Sequence, residues 1–133
     1  MKVMDIEGIG PAYAKKLAKA GLRSVEGLLK MGATPKGRKE IAELSGIDAS
    51  LVLEWVNRAD LYRIKGVGKQ YSDLLEKAGV DTVVELSKRL PVNLFKKMVE
   101  VNQSKNLVNS MPGAGQVEHW IEQAKKLPRV VTY

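Results

Sequence analysis

Apolar and small residues recur at Val52, Trp55, Val56 and Ala59, and again at Val117, Trp120, Ile121 and Ala124. Both sets keep the i, i+3, i+4, i+7 spacing of a helix with one buried face. Ala14, Leu17, Ala18 and Gly21 keep helical spacing near the N-terminus, and Gly21 and Gly79 stand where helices end, since glycine tolerates a left-handed cap. Second helices are predicted around residues 24–31 and 82–89, the latter opening on Thr82 and Glu85 in a capping-box pattern. A third follows Thr34-Pro35 to about Leu44, and its counterpart follows Pro91, from Asn93 to about Asn102. Nothing alternates with period two apart from a weak hint in the tail, RVVTY. The pattern predicts an all-α protein.

The helices repeat. Residues 6–30, IEGIGPAYAKKLAKAGLRSVEGLLK, align without a gap on residues 64–88, IKGVGKQYSDLLEKAGVDTVVELSK, with eleven identities in twenty-five positions. VLEWVNRA (52–59) lies over VEHWIEQA (117–124) at an offset of 65 rather than 58, so the second copy carries about seven extra residues. The expected organisation is two tandem units of about 60 residues, 1–61 and 62–127, and a tail, 128–133, with residues 125–133 loosely held. No Pro/Ser-rich linker separates them, which predicts close packing.

Composition narrows the classes. At 133 residues, with 44% hydrophobic and only 5% aromatic side chains, the chain suits a helical domain better than a β-sandwich. No apolar run reaches the roughly 18 residues of a membrane span, and MKVMDIEG lacks a signal peptide's apolar core, so a cytoplasmic protein without membrane partners is expected. The absence of cysteine excludes disulfides, thiolate zinc sites and cysteine nucleophiles. The net charge of +7 favours an anionic partner, nucleic acid first. Residues 1–61 hold ten Lys/Arg against eight Asp/Glu and residues 62–133 twelve against seven, so any electrostatic footprint leans toward the second half.

Candidate chemistry lies at the turns Gly8-Ile9-Gly10 and Gly66-Val67-Gly68, each directly before an amphipathic helix. An apolar residue between two glycines plugs the core, and the glycines allow unusual backbone angles and leave no side chain in the way. The amides that open the next helix are unpaired and sit at the positive end of its dipole, where a phosphate fits. The plain alternative is a tight helix junction. Ile6, Gly8, Ile9, Gly10, Ala14 and Leu17, with Ile64, Gly66, Val67, Gly68, Ser72 and Leu75, resemble the helix-hairpin-helix motif. Over nearly its whole length, and through ADLYRIKGVG, LLEKAGVDTVVEL and VEHWIEQAKKL, the chain resembles a bacterial tandem helix-hairpin-helix family of unknown function. That resemblance implies a paired-hairpin fold like that of DNA repair proteins, gripping DNA backbone without reading sequence.

Departures from the motif matter. SGIDASLVLEW (45–55) repeats the spacing with Asp48 in place of the second glycine, so this hairpin is read as structural. PGAG (112–115) imitates the motif at the wrong spacing and reads as a helix start. Glu7 lies in the first good turn, whereas Lys65 and Lys69 bracket the second, making it the better phosphate grip. Lys15, Lys16, Lys19 and Lys77 lie on the following helices and add sequence-independent contacts, or else form a solvated face. Tyr13 and Tyr71 stack on a base or, the favoured reading, pack on a neighbouring helix; Trp55 and Trp120 read as core.

Enzymatic patterns are missing. His119 is the only histidine, its neighbours Glu118 and Glu122 do not complete a metal-ligand spacing, and neither a nucleophile elbow nor a P-loop occurs. The expectation is a non-catalytic, cofactor-free and metal-free module, monomeric, binding double-stranded DNA backbone through Lys65, Gly66, Val67, Gly68, Lys69, Gly8, Ile9, Gly10, Lys15 and Lys16. The alternative is a protein-interaction adaptor whose hairpins are purely structural, a reading helped by Asp48 and Glu7.

Overall fold

The computed structural model describes residues 1–133, and the chain is all-α. A 3₁₀ turn, Val3–Asp5, precedes α1 (Pro11–Lys19), α2 (Val25–Gly32), α3 (Pro35–Ser45), α4 (Ala49–Leu61), α5 (Lys69–Lys77), α6 (Val83–Ser87), α7 (Pro91–Lys105) and α8 (Ala114–Lys126). The chain divides into two units, residues 1–60 with 130–133, and residues 61–129. No helix is long and apolar enough to cross a membrane.

In the first unit, α1 and α2 both pack on α3. Ser24 caps α2 by accepting the Gly27 amide at 3.0 Å, and Thr34 caps α3 by accepting the Gly37 amide at 3.1 Å. Leu17, Leu28, Ile41, Val52 and Val56 are fully buried. The element before the first glycine turn is the 3₁₀ turn, whereas α4 precedes the second.

The expected loose tail is instead bound to the first unit. Thr132 donates its amide to the Ala33 carbonyl at 2.8 Å, and Val131 is buried. Arg38, itself buried, donates to the carbonyls of Gly32 at 2.8 Å and Thr132 at 2.7 Å. Tyr133 closes the contact through its hydroxyl on Asn57, 3.0 Å away. RVVTY forms no strand and is held by these bonds.

In the second unit, α6 and α7 pack on α8, and α5 packs on α7. Thr82 caps α6 as expected, accepting the Glu85 amide at 3.3 Å, but the helix stops at Ser87. Helix α7 starts at Pro91 rather than Asn93, because proline's fixed φ and missing N–H suit the first helical position. Fifteen residues of α7 against eleven of α3 absorb part of the second copy's extra length. Leu74, Leu75, Leu86, Met98, Trp120 and Ile121 form its core.

Candidate functional site

The two glycine turns are built alike. Ile6 and Ile9 in the first, and Ile64 and Val67 in the second, are buried and anchor the backbone. Gly8 and Gly66 each have φ +93°, a conformation that strains any residue carrying a β-carbon. The second glycines differ. Gly10 (φ −89°, ψ −174°) and Gly68 (φ −101°, ψ −164°) are extended, which any residue can adopt. A β-carbon on either would meet nothing within 4 Å. Neither backbone angle nor internal packing therefore calls for glycine there.

Both second glycines are N-caps, of α1 and α5, and neither helix receives a side-chain cap. Ser24, Thr34 and Thr82 do cap their helices in the same chain. The amides of Gly8, Gly10 and Ala12, and of Gly66, Gly68 and Gln70, donate no hydrogen bond within the chain. Ile9 and Val67 must be removed from the expected donors, because their amides are spent on the carbonyls of Ile6 and Ile64, each at 3.1 Å. Burying the central side chain tightens the turn, and that bond closes it. At the second turn the bare backbone opens into a surface depression of ≈ 370 Å³ lined by Gly66, Gly68, Lys69, Gln70 and Tyr71.

Behind each turn stand a tyrosine and a tryptophan. Tyr13 meets Trp55 edge-on with ring centroids 5.0 Å apart, and Tyr71 meets Trp120 at 5.4 Å. Both tyrosines thus pack on a neighbouring helix. The ring atom nearest the turn is the indole nitrogen in both cases, 3.5 Å from a β-carbon built on Gly8 and 3.1 Å from one built on Gly66. Neither indole N–H donates a hydrogen bond within the chain. In the second turn, Gln123 also grips the peptide before Gly66, accepting the Lys65 amide at 3.0 Å and donating to the Lys65 carbonyl at 3.3 Å. Sequence reasoning missed Gln123, whose only signal is its place three residues beyond Trp120 on the same helical face.

Of the candidate cations, Lys15, Lys16, Lys65 and Lys69 are all exposed. Lys16 holds its ammonium 5.7 Å from the centre of the Tyr13 ring. His119, Glu118 and Glu122 are exposed on α8. Gly113 caps α8, as expected of a helix start.

The third turn of this form, Gly46-Ile47-Asp48, is a built-in comparison. Gly46 has φ +74° and Ile47 is buried, but the cap is filled. The Asp48 carboxylate accepts from the Ser50 hydroxyl at 2.7 Å and the Ser50 amide at 2.8 Å. Those bonds, the hydroxyl's first, hold its pKa below the ordinary value. No indole stands beside this turn, where a β-carbon on Gly46 would meet nothing within 4 Å.

Residues 7–127, which include every element of both turns beyond Ile6, match the family model described as "Domain of unknown function (DUF4332)". The chain belongs to that family. Comparison with curated proteins and with solved structures finds no match. Membership in the DUF4332 family thus brings no established ligand, and chemistry must come from the turns.

Proposed function

We propose that this chain is a non-catalytic module of the helix-hairpin-helix kind that holds nucleic-acid backbone, DNA above all, without reading sequence. One observation carries the reading: at Gly68, as at Gly10, an uncapped helix N-terminus that neither φ nor packing requires to be glycine follows a left-handed glycine and a buried plug residue. The uncapped Gly113 lacks that combination. The open amides of Gly66, Gly68 and Gln70 offer donors to a phosphate oxygen at the positive end of α5, and Gly8, Gly10 and Ala12 offer the same at α1. Asp48 supports it from within, since the one such turn that carries an anion of its own uses it on the Ser50 amide, the counterpart of Gln70 and Ala12. Lys65, Lys69, Lys15 and Lys16 add long-range attraction within a chain of net charge +7. The test is fluorescence anisotropy with two duplexes of unrelated sequence over increasing salt. Affinity falls steeply with salt and is nearly equal for the two duplexes; no binding at the lowest salt overturns the reading.

A second reading, a protein-interaction adaptor, draws on a different face. Leu90 and Val92 are each 66% exposed, and Val92 borders an apolar groove of ≈ 310 Å³ lined also by Pro91, Phe95, Ala114 and Gly115. Binding that survives replacement of the turn lysines favours it.

A further inference from the structure

We infer that the indole N–H groups of Trp120 and Trp55 are ligand donors that join the turn amides on one phosphate. The inference rests on the phosphate reading of the turns and deepens it by naming side chains. Trp120 is 1% exposed and Trp55 2%, yet neither N–H has an acceptor within the chain. Each ring is buried, but its nitrogen is not among the buried side-chain atoms left without a partner, so the N–H reaches the surface and is open to an acceptor from outside the chain. If packing alone were the role, a phenylalanine or leucine would fill most of the same space with no donor to satisfy.

The position of the orphan donor is specific. In both units the indole nitrogen is the ring atom nearest the first glycine of the turn, at 3.1 Å and 3.5 Å from a β-carbon built there. A side chain at Gly66 would crowd the indole nitrogen, and Gly66 itself lines the depression. The third turn supplies the contrast. Where Asp48 fills the cap no indole is present, whereas at Gly8-Ile9-Gly10 and Gly66-Val67-Gly68, whose caps are empty, an indole with no acceptor stands by. The amides belong to the start of the following helix and the indole to a separate helix packed beside the first glycine. That arrangement suits a tetrahedral phosphodiester, whose two non-bridging oxygens can each take a share. Tyr71 and Tyr13 keep the indole planes in position through their ring contacts.

The experiment follows the two indole and the Gly68 and Gln70 amide signals of ¹⁵N-labelled protein. One titration adds a short DNA duplex at low salt, and a second adds inorganic phosphate. The expected result is that indole and turn-amide protons move downfield together and saturate at the same duplex concentration, with smaller shifts of the same signals in phosphate. If the amides move while both indoles stay, the indole role is overturned and the backbone reading stands. If phosphate moves the indoles but duplex does not, the oxyanion site stands and the nucleic-acid reading falls. If nothing moves in either titration, both are overturned.

Discussion

Asp48 accepts the Ser50 amide at 2.8 Å, closing with its own carboxylate a turn that shares with Gly8-Ile9-Gly10 a left-handed first glycine. Hydrogen bonds to the charged form depress its pKa below 3.8, so its stabilising contribution is complete above that value and is lost as pH falls through the lower folded value. Asp48→Asn keeps a capping acceptor but removes the titration. Thermal melts between about pH 6 and about pH 2 are expected to show a smaller acid-side loss in Asp48→Asn than in the wild type. Equal losses contradict the capping role.

Gly66→Ala and Gly8→Ala separate strain from crowding. Both place a β-carbon at φ +93°, which costs about 1–2 kcal/mol. At Gly66 the new carbon also lies 3.1 Å from the Trp120 indole nitrogen, whereas at Gly8 the 3.5 Å approach to Trp55 is ordinary contact. Urea denaturation is expected to rank Gly66→Ala as the more destabilised; the reverse order contradicts the turn geometry.

Removing residues 130–133 tests the docked tail. It strips away the buried Val131 and the Thr132 bonds to Ala33 and Arg38. The expected loss is about 2–4 kcal/mol, read by urea denaturation. Arg38 keeps its bonds to Gly32 and Ala33, so the truncated chain still folds. An unchanged midpoint contradicts a structural tail.

Lysines at the turns should be distinguishable from lysines elsewhere by salt. Lys15→Gln and Lys65→Gln are each expected to lower the slope of log affinity against log salt by about one. Lys125, paired with Glu122 at 3.8 Å and outside both turns, is expected to leave it unchanged on replacement by glutamine. Equal effects at all three positions point to diffuse charge rather than turn contacts.

Much of this was legible in the sequence because it is local. The helix start at Pro35, the cap at Thr82 and the stops at Gly21 and Gly79 follow from backbone preferences of a few residues, whereas α7 starts two residues before the expected Asn93. The plugging role of Ile9 and Val67 was legible too, but its consequence for their amides was not, since the bond back to Ile6 or Ile64 forms only when the turn closes. Trp55 and Trp120 could be read as core from helical spacing. Which ring atom meets Gly8 or Gly66 depends on how a helix some fifty residues away rotates against the turn. The Gln123 clamp on Lys65 and the return of Thr132 to Ala33 are likewise products of tertiary folding that no local pattern encodes.

Gly68→Ser gives the most direct measurement, because it supplies the missing cap without changing charge. Serine is a better N-cap than glycine by a few tenths of a kcal/mol, and its β-carbon meets nothing, so stability should hold or rise slightly. Its hydroxyl also competes for the first-turn amides of α5, Gln70 among them, where a phosphate contact is a charge-assisted interaction of about 1.5–3 kcal/mol. Duplex affinity at low salt should therefore fall by about tenfold or more while the unfolding midpoint does not fall. Affinity equal to wild type, in a protein of equal or greater stability, would contradict phosphate binding at this turn.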